Sequence, residues 1–324
     1  LNLKLDDTAQ ILAIAAFLDF CIGDPKTWLH PVQVMGWVIG RSARVILCQW
    51  QSPTQRKWAG VMLGISLIGG SGVSAWLLIQ LAMALHPLMG KGVACVMLAS
   101  CLAGRSLRAA ANDVMSPLAQ GDIMTARSHL SFYVGRDTEQ LSEPEILRAV
   151  FETVTENATD GVMAPWFYAI LGAFLPAGSV PLAIAYKAAS TLDSMVGYRE
   201  APYTDLGWFS AKTEDVLTWL PCRLSLLTLA WIGGKPKQVW QLCRRDASKD
   251  PSPNAGWSEC AYAAIVGVQV GGTNTYRGVV KHKPLLGDPI YPITAERVEQ
   301  ALQLTRINIL VWVGAAIALL VFRA

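Results

Sequence analysis

The sequence predicts an all-α integral membrane protein, a polytopic helical bundle with broken or re-entrant helices and polar cytoplasmic loops. Three observations carry that class. Hydrophobic residues make up 52% of the 324 and charged residues only 16%, with a positive mean hydropathy, which departs from the soluble average toward membrane composition. Ala59 to Leu85 runs without one charged side chain, longer than the ~20 residues a bilayer crossing needs. Several other apolar runs are short and cut by Pro or Gly, and half-length helices survive in a membrane only when buried in protein or lining a cavity. The same composition excludes other classes. The net charge of +3 is small and dispersed, without the basic run that tracks a phosphate backbone, so nucleic acid is not an expected partner. Seven cysteines lie mostly in or beside apolar runs with no CxxC pair, which reads as small buried hydrophobes in a reducing compartment. Four scattered histidines give no zinc spacing. No cleavable signal peptide is evident.

Taken in order, Asn2 to Asp7 is a short polar entry, and Ala9 to Ile22 is apolar but too short to cross alone and carries Asp19, so it is expected to pack against protein. Gly23, Pro25 and Pro31 then break the helix and hold Asp24 and His30 on a loop, where Asp24 could equally bond its own backbone. Gly36 and Gly40 form one GxxxG face, and Gly60 and Gly64 a second inside the Ala59–Leu85 span; such faces permit self-association. Gly70, Gly72 and Ala75 mimic a dinucleotide fingerprint, but no strand precedes them and no acidic residue follows at the required distance. A second span is expected over Gly92 to about Gly104, with Arg105 and Arg108 marking the cytoplasmic side, then a mixed helical segment over Ala109 to Leu130. Val162 to Leu175, broken by Pro165 and ended by Pro176, and Pro181 to Ala189 predict a hairpin dipping into the membrane. Val216 to Ile232 is apolar but interrupted by Pro221 and Arg223. If that run crosses fully, the charged tail region falls on the wrong side for the positive-inside tendency, so it or the hairpin is expected not to cross completely. Gly233 to Thr305 is a long polar region without repeats, and Ile307 to Phe322 a final span. One polytopic domain over 1–324 is expected, with polar site-bearing segments 23–58, 105–161, 187–215 and 233–306.

The stretch Tyr133 to Gly161, YVGRDTEQLSEPEILRAVFETVTENATDG, organises the rest. Ser142 and Glu145 have capping-box spacing, and Pro144 suits a first helical turn. Leu147, Val150, Phe151, Val154 and Ala158 fall on one face; Glu145, Arg148, Glu152, Glu156 and Thr159 line the other, with Asn157 and Asp160 near the end. Acidic residues are disfavoured in a last turn unless a cation compensates them, so Glu156 and Asp160 point to a site. An ordinary solvated helix face is the plain alternative. Further on, RRDASKDPSPNAGWSECAYAAIVGVQVGGTNTY gathers Asp246, Asp250, Ser252, Asn254, Glu259 and Asn274 on a backbone made irregular by Pro and Gly. A surface connection would explain it, but so would a loop that approaches phosphate or holds carboxylates around Mg²⁺. No Walker A sequence is present.

These strings carry a resemblance. GDPKTWLHPVQVMGWVI, GRDTEQLSEPEI, ETVTENATDGVMAPWFYAILG, AYKAASTLDSMVGYR, Tyr203 to Asp215 with DVLTWLPCRL, and DASKDPSPNAGWSECAYAAIVGVQVGGTNTY occur in the same order in the adenosylcobinamide-phosphate synthases, or cobinamide synthases, of cobalamin biosynthesis (CbiB/CobD type). The chain resembles that family over nearly its whole length, departing at Gly135, where Ser is more familiar. The resemblance implies an inner-membrane ligase that joins adenosylcobyric acid, a corrinoid, to aminopropanol phosphate or ethanolamine phosphate, with ATP and Mg²⁺ as expected requirements. Carboxylate and ammonium do not condense in water, so the acid must be activated, most simply as an acyl phosphate.

On that resemblance Glu152, Glu156 and Asp160 are assigned to Mg²⁺ and the substrate ammonium, Lys187 and Arg199 to phosphate oxygens, and Asp193 to orienting one of them. Arg136 and Asp137 would close the site. Asp246, Asp250, Ser252, Asn254 and Asn274 would complete a nucleotide or corrinoid pocket, with Asn157, Asp24 and His30 as further binding candidates. A homo-oligomer or a complex with other late cobamide-assembly enzymes is compatible with the sequence. Two rival classes are a non-catalytic membrane sensor of the same superfamily and a polar-solute transporter. Only the ligase should consume ATP in response to the amine and the corrinoid acid together.

Overall fold

The structure, a computed structural model, describes residues 5–23 and 30–323; Asp24 and the start of the polar entry lie outside them. Helices dominate. α1 (Leu5–Cys21), α2 (Pro31–Gln49), α3 (Pro53–Leu85) and α4 (Pro87–Ala99) come first. They are followed by α5 (Gly104–Ala119), α6 (Ile123–Leu130) and α7 (Glu143–Asn157), which runs into a π-helical turn, Ala158–Met163. Next are α8 (Ala164–Ala173), α9 (Ser179–Val196), α10 (Trp208–Ile232), α11 (Pro236–Asp246) and α12 (Ala255–Val266). An antiparallel hairpin of β1 (Val270–Tyr276) and β2 (Val279–Leu286) precedes α13 (Ala295–Arg323). Proline opens α2, α3, α4, α7 and α11 within the first two positions, where its missing N–H costs nothing.

Four helical stretches are long and apolar enough to cross a membrane: Pro53–Leu85, Pro87–Ala119, Trp208–Ile232 and Ala295–Arg323, the second broken at residues 100–103. The expected second span therefore starts earlier, at Pro87, with His86 accepting from the Leu88 N–H at 3.2 Å. Pro221 does not interrupt α10, which is continuous through it. Pro165 likewise lies inside the first turn of α8 and does not break it. The long polar region is no loop: it folds into α11, α12 and the hairpin, whose β1 strand carries a bulge between Val270 and Gly272.

The chain divides into two compact units: up to Ala103 with Ala164–Thr218 and Val311 onward, and Gly104–Met163 with Trp219–Leu310. In the first, α3 packs along α9, and α8 and α9 form the expected helical hairpin. The small-residue faces are used inside this unit. A Cβ on Gly60 would stand 2.1 Å from the Leu206 carbonyl oxygen, one on Gly64 2.4 Å from the Phe209 ring, and Gly36 and Gly40 face Met195. The close approach foreseen from GxxxG is thus made to neighbours in the same chain. In the second unit α7 is central, buried through Ile146, Ala149, Val150, Phe151 and Val154, with α5 and α6 against it and α12 and β1 also in contact.

Candidate active site

Ser142 and Glu145 start α7 as their spacing predicts: the Glu145 carboxylate accepts from the Ser142 N–H at 2.7 Å and its hydroxyl at 2.6 Å. The polar face that follows carries two constellations one turn apart. The first is a closed knot around Glu152, which is 1% exposed. Arg136 donates to one carboxylate oxygen; Arg148 donates to the other at 3.3 Å and the Gly271 N–H at 2.9 Å. The Asn274 side-chain oxygen then accepts from Arg136 at 3.0 Å and Arg148 at 3.1 Å. Arg148 also reaches the carbonyls of Gly271 and Thr273. The bulge makes this possible: Gly271 has φ +91 and a Cβ there would stand 2.0 Å from the Pro284 carbonyl oxygen, a position only glycine fills without strain.

The second constellation is open. Glu156 is half-buried, and its carboxyl is raised by burial, with Asp250 and Glu152 adding to the rise and Lys283 and Arg136 opposing it. α12 lies across α7 here, the Ser258 hydroxyl bonding the Thr155 carbonyl and meeting the Thr159 hydroxyl at 2.7 Å. Beside Ser258, Glu259 is fully buried, with no hydrogen bond to either carboxylate oxygen. Its closest cation is the Lys283 Nζ at 3.5 Å, reaching in from β2. Burial raises the Glu259 carboxyl well above its ordinary range, in spite of Lys283. Lys283 is raised as well, because these carboxylates outweigh its own desolvation. Asp250 packs against Gly256, where a Cβ would lie 2.5 Å from its own, one turn before Glu259 on α12. One Asp250 oxygen accepts from Ser252 N–H at 2.8 Å; the other is buried without a hydrogen bond, as is the Asn274 side-chain nitrogen. A buried polar group left without a partner is costly, so such a cluster asks for a ligand.

The remaining sequence candidates divide. Arg136, Asn274, Asp250 and Glu156 belong to these two constellations, and all lie in the second unit with Glu152. Asp160 sits half-buried on the π turn, a feature common at functional sites. Asn157 is exposed and bonds back to the Thr153 carbonyl at 2.9 Å. Asp137 clamps the hairpin tip, its two oxygens accepting from the Arg277 and Gly278 N–H groups at 2.8 Å each. Asp246 is held below its usual range: burial pushes it up, but Arg245, Lys249 and the Gly287 N–H outweigh that. Ser252 accepts from the Ala255 N–H at 3.1 Å, and Asn254 accepts from Arg223 at 2.8 Å, so both brace the entry to α12. In the first unit, Lys187 and Asp193 are half-buried on α9 and Arg199 is exposed after it. His30 caps α2, its Nδ1 accepting from the Val32 N–H at 3.3 Å.

Two functional candidates escaped the sequence reading, and a third was named there without a role of its own. Arg148 was visible only as a charged helix face, and Glu259 stood among loop ligands without a role, although a carboxylate inside the apolar string WSECAYAAIV is a signal. Lys283 carried none. Among the described residues no three His, Cys, Asp or Glu side chains stand in metal-ligand geometry. Glu156, Asp250 and Glu259 are oxygen donors of the type a hard cation takes, but they do not stand in ligand geometry, and the Lys283 ammonium lies 3.5 Å from Glu259.

Residues 12–305 match the family model described as CobD/Cbib protein. The chain is 53% identical over 303 residues to the cobalamin biosynthesis protein CobD of Synechocystis sp., covering 93% of this chain and 88% of that one. It is 40% identical to the cobalamin biosynthesis protein CbiB of Salmonella arizonae, covering 96% and 95% of the two chains. To the cobalamin biosynthesis protein CobD of Halalkalibacterium halodurans it is 38% identical, covering 93% of each. No solved structure matches the chain.

Proposed function

The chain belongs to the CobD/CbiB protein family, and from that premise we propose that its second unit carries the active site of the family's amide-forming ligase. The reaction is a late step of cobalamin biosynthesis, in which adenosylcobyric acid and an amino-alcohol phosphate give adenosylcobinamide phosphate. The free propionate takes the terminal phosphoryl group of ATP, releasing ADP. The amine then attacks the acyl carbon, and phosphate leaves. Mg²⁺, when bound, would neutralise phosphate charge during the first step.

The chain's own residues supply the rest. Glu156 suits the role of proton acceptor for the substrate ammonium, because a carboxyl raised by burial takes a proton more readily than an ordinary one. The Arg136–Glu152–Arg148 knot fixes the position of α7 against the hairpin and so holds Glu156 facing Lys283. Glu152, with both oxygens already bonded, serves this reading as an anchor, and the cation-facing role falls to Glu156 with Asp160 behind it. The site faces the cytoplasm of the inner membrane, where ATP is available.

The observation that carries the reading is the set of buried Glu259 and Asp250 carboxylate oxygens left without hydrogen bonds, with the Lys283 ammonium 3.5 Å from Glu259. Glu156→Gln tests it in purified protein assayed for amide formation. A loss of about 10²–10⁴-fold in turnover is expected for a missing general base, with an unchanged melting temperature. Wild-type turnover removes Glu156 from the mechanism.

A further inference from the structure

The α8–α9 hairpin turns at a cavity of about 460 Å³ whose lining lies wholly within the first unit. Two glycines make the turn tight. A Cβ on Gly172 would stand 2.3 Å from the Gly178 carbonyl oxygen, and Gly178 itself has φ +87, where an L side chain is strained. α9 therefore starts on the cavity wall, with Gly178 at its cap position and no side chain capping it. The first N–H groups of a helix have no intrahelical acceptor, and those of Ser179 and Val180 stand at this end, ahead of Pro181, which has none. Ser179 is 6% exposed and lines the cavity, and its hydroxyl has no hydrogen-bond partner. Arg323 reaches the same cavity from the end of α13, its guanidinium 5.9 Å from the Phe174 ring. No carboxylate among the described residues lines the space, and Asp7, beside the lining Thr8, is paired with Lys91 at 2.6 Å.

We infer that this cavity binds a phosphate group. Its polar lining is all of the kind an anion takes: backbone N–H groups with the positive end of the α9 dipole behind them, the Ser179 hydroxyl and the Arg323 guanidinium. A carboxylate brings two oxygens to such a set and a phosphate three or four, so the phosphate uses it more fully. A buried hydroxyl without a partner is a cost that an incoming acceptor removes. Trp76, Phe174 and Leu175 line other parts of the cavity, a wall suited to glycerol and acyl carbon. Arg323 closes α13, the last helix of membrane-crossing length, and basic residues at the end of a span lie at headgroup level. A phospholipid headgroup and free phosphate share the chemistry recognised there. The site is also remote from the other end of α9, since Asp193 lies about 20 Å further along the helix axis.

Melting of the purified, delipidated full-length chain in a phosphate-free detergent tests the site, because a ligand that binds the folded state raises the melting temperature saturably. Two probes are titrated: inorganic phosphate, against chloride at equal ionic strength, and dioctanoyl phosphatidate, against dioctanoylglycerol, which has the same chains and no phosphate. Wild type should be stabilised saturably by at least one phosphate probe. Response to phosphatidate alone identifies a lipid headgroup as the source, and response to inorganic phosphate shows that the free anion enters. Ser179→Ala and Arg323→Gln should each raise the half-saturating concentration by about tenfold, as expected for a lost hydrogen bond to a charged group. Without any probe Ser179→Ala should melt no lower than wild type, because the hydroxyl it removes is unpartnered, so weaker binding in that variant is not a failure to fold. Saturable stabilisation by neither probe, an equal response to dioctanoylglycerol, or equal half-saturation in all three proteins overturns the inference. So does a lower melting temperature of Ser179→Ala without probe, which would show that its oxygen is bonded within the fold.

Discussion

Two carboxylates on one helix, Glu152 and Glu156, have been given opposite surroundings although a single turn separates them. Glu152 has every oxygen bonded, by two guanidinium groups and a backbone N–H. Glu156 faces Glu259 and Asp250, whose oxygens are largely unbonded. A saturated buried network rigidifies, whereas an unsaturated one stores a demand for a ligand or a proton. The turn that builds the unit and the turn that works in it are therefore distinguishable by hydrogen-bond accounting, with Glu152 buried and Glu156 half-buried.

Glu152→Ala should break that comparison most severely. It leaves Arg136 and Arg148 buried without their anion, a change that costs about 3–5 kcal/mol and releases the hairpin from α7. Loss of folded protein, measured as a fall in melting temperature and in yield of monodisperse protein, is the expected result. A variant that melts with wild type would mean the knot does not hold the unit together.

Glu259→Gln sharpens it from the other side, through pH. Burial raises the Glu259 carboxyl in the folded protein, so the folded state holds this proton more tightly than the unfolded one. The stability so contributed is complete below the ordinary carboxylate range and is lost as pH rises from there through the raised folded value. The glutamine does not titrate. It should therefore gain on wild type as pH rises above the ordinary carboxylate range, read as the difference between the two melting curves. A parallel pH dependence in both proteins would show that Glu259 is ionised in the fold at no cost.

How legible this was follows from the range of the interactions. α7 was readable because its capping box, its proline and its apolar stripe are all local, and the spans because composition alone sets their length. The π turn after Asn157 was not, since it depends on α12 lying across the helix, and the hairpin was hidden in a polar stretch whose bulge glycines read as loop. At the site, Glu156 and Asp250 were nominated from unfavourable charge placement and from irregular backbone. Lys283 lies more than a hundred residues from Glu156 along the chain, and their meeting left no pattern in either segment. The same distance conceals why Glu152 differs from Glu156: spacing gives both the same face, and only the hairpin's arrival saturates one of them. His30 and Asp137 show the converse, polar residues in striking sequence company that the fold spends on a helix cap and a turn.

The smallest effect concerns the hairpin that serves both turns of α7. Asp137 ties its tip through the Arg277 and Gly278 N–H groups, while its own N–H donates to the Thr275 carbonyl at 2.8 Å. Arg277, at φ 49, is a non-glycine residue in the left-handed region, a conformation that needs such bracing. Asp137→Ala removes two exposed hydrogen bonds to a carboxylate and should cost about 1 kcal/mol. Because Asn274 and Lys283 sit further along the strands, with Lys283 paired to Gly272 beside the bulge, the knot should keep that end closed while the tip frays. Hydrogen exchange should then quicken at residues 275–280 and stay slow at 270–273. Equal acceleration along both strands would mean that the tip, and not Glu152, sets the register that brings Lys283 to the carboxylates.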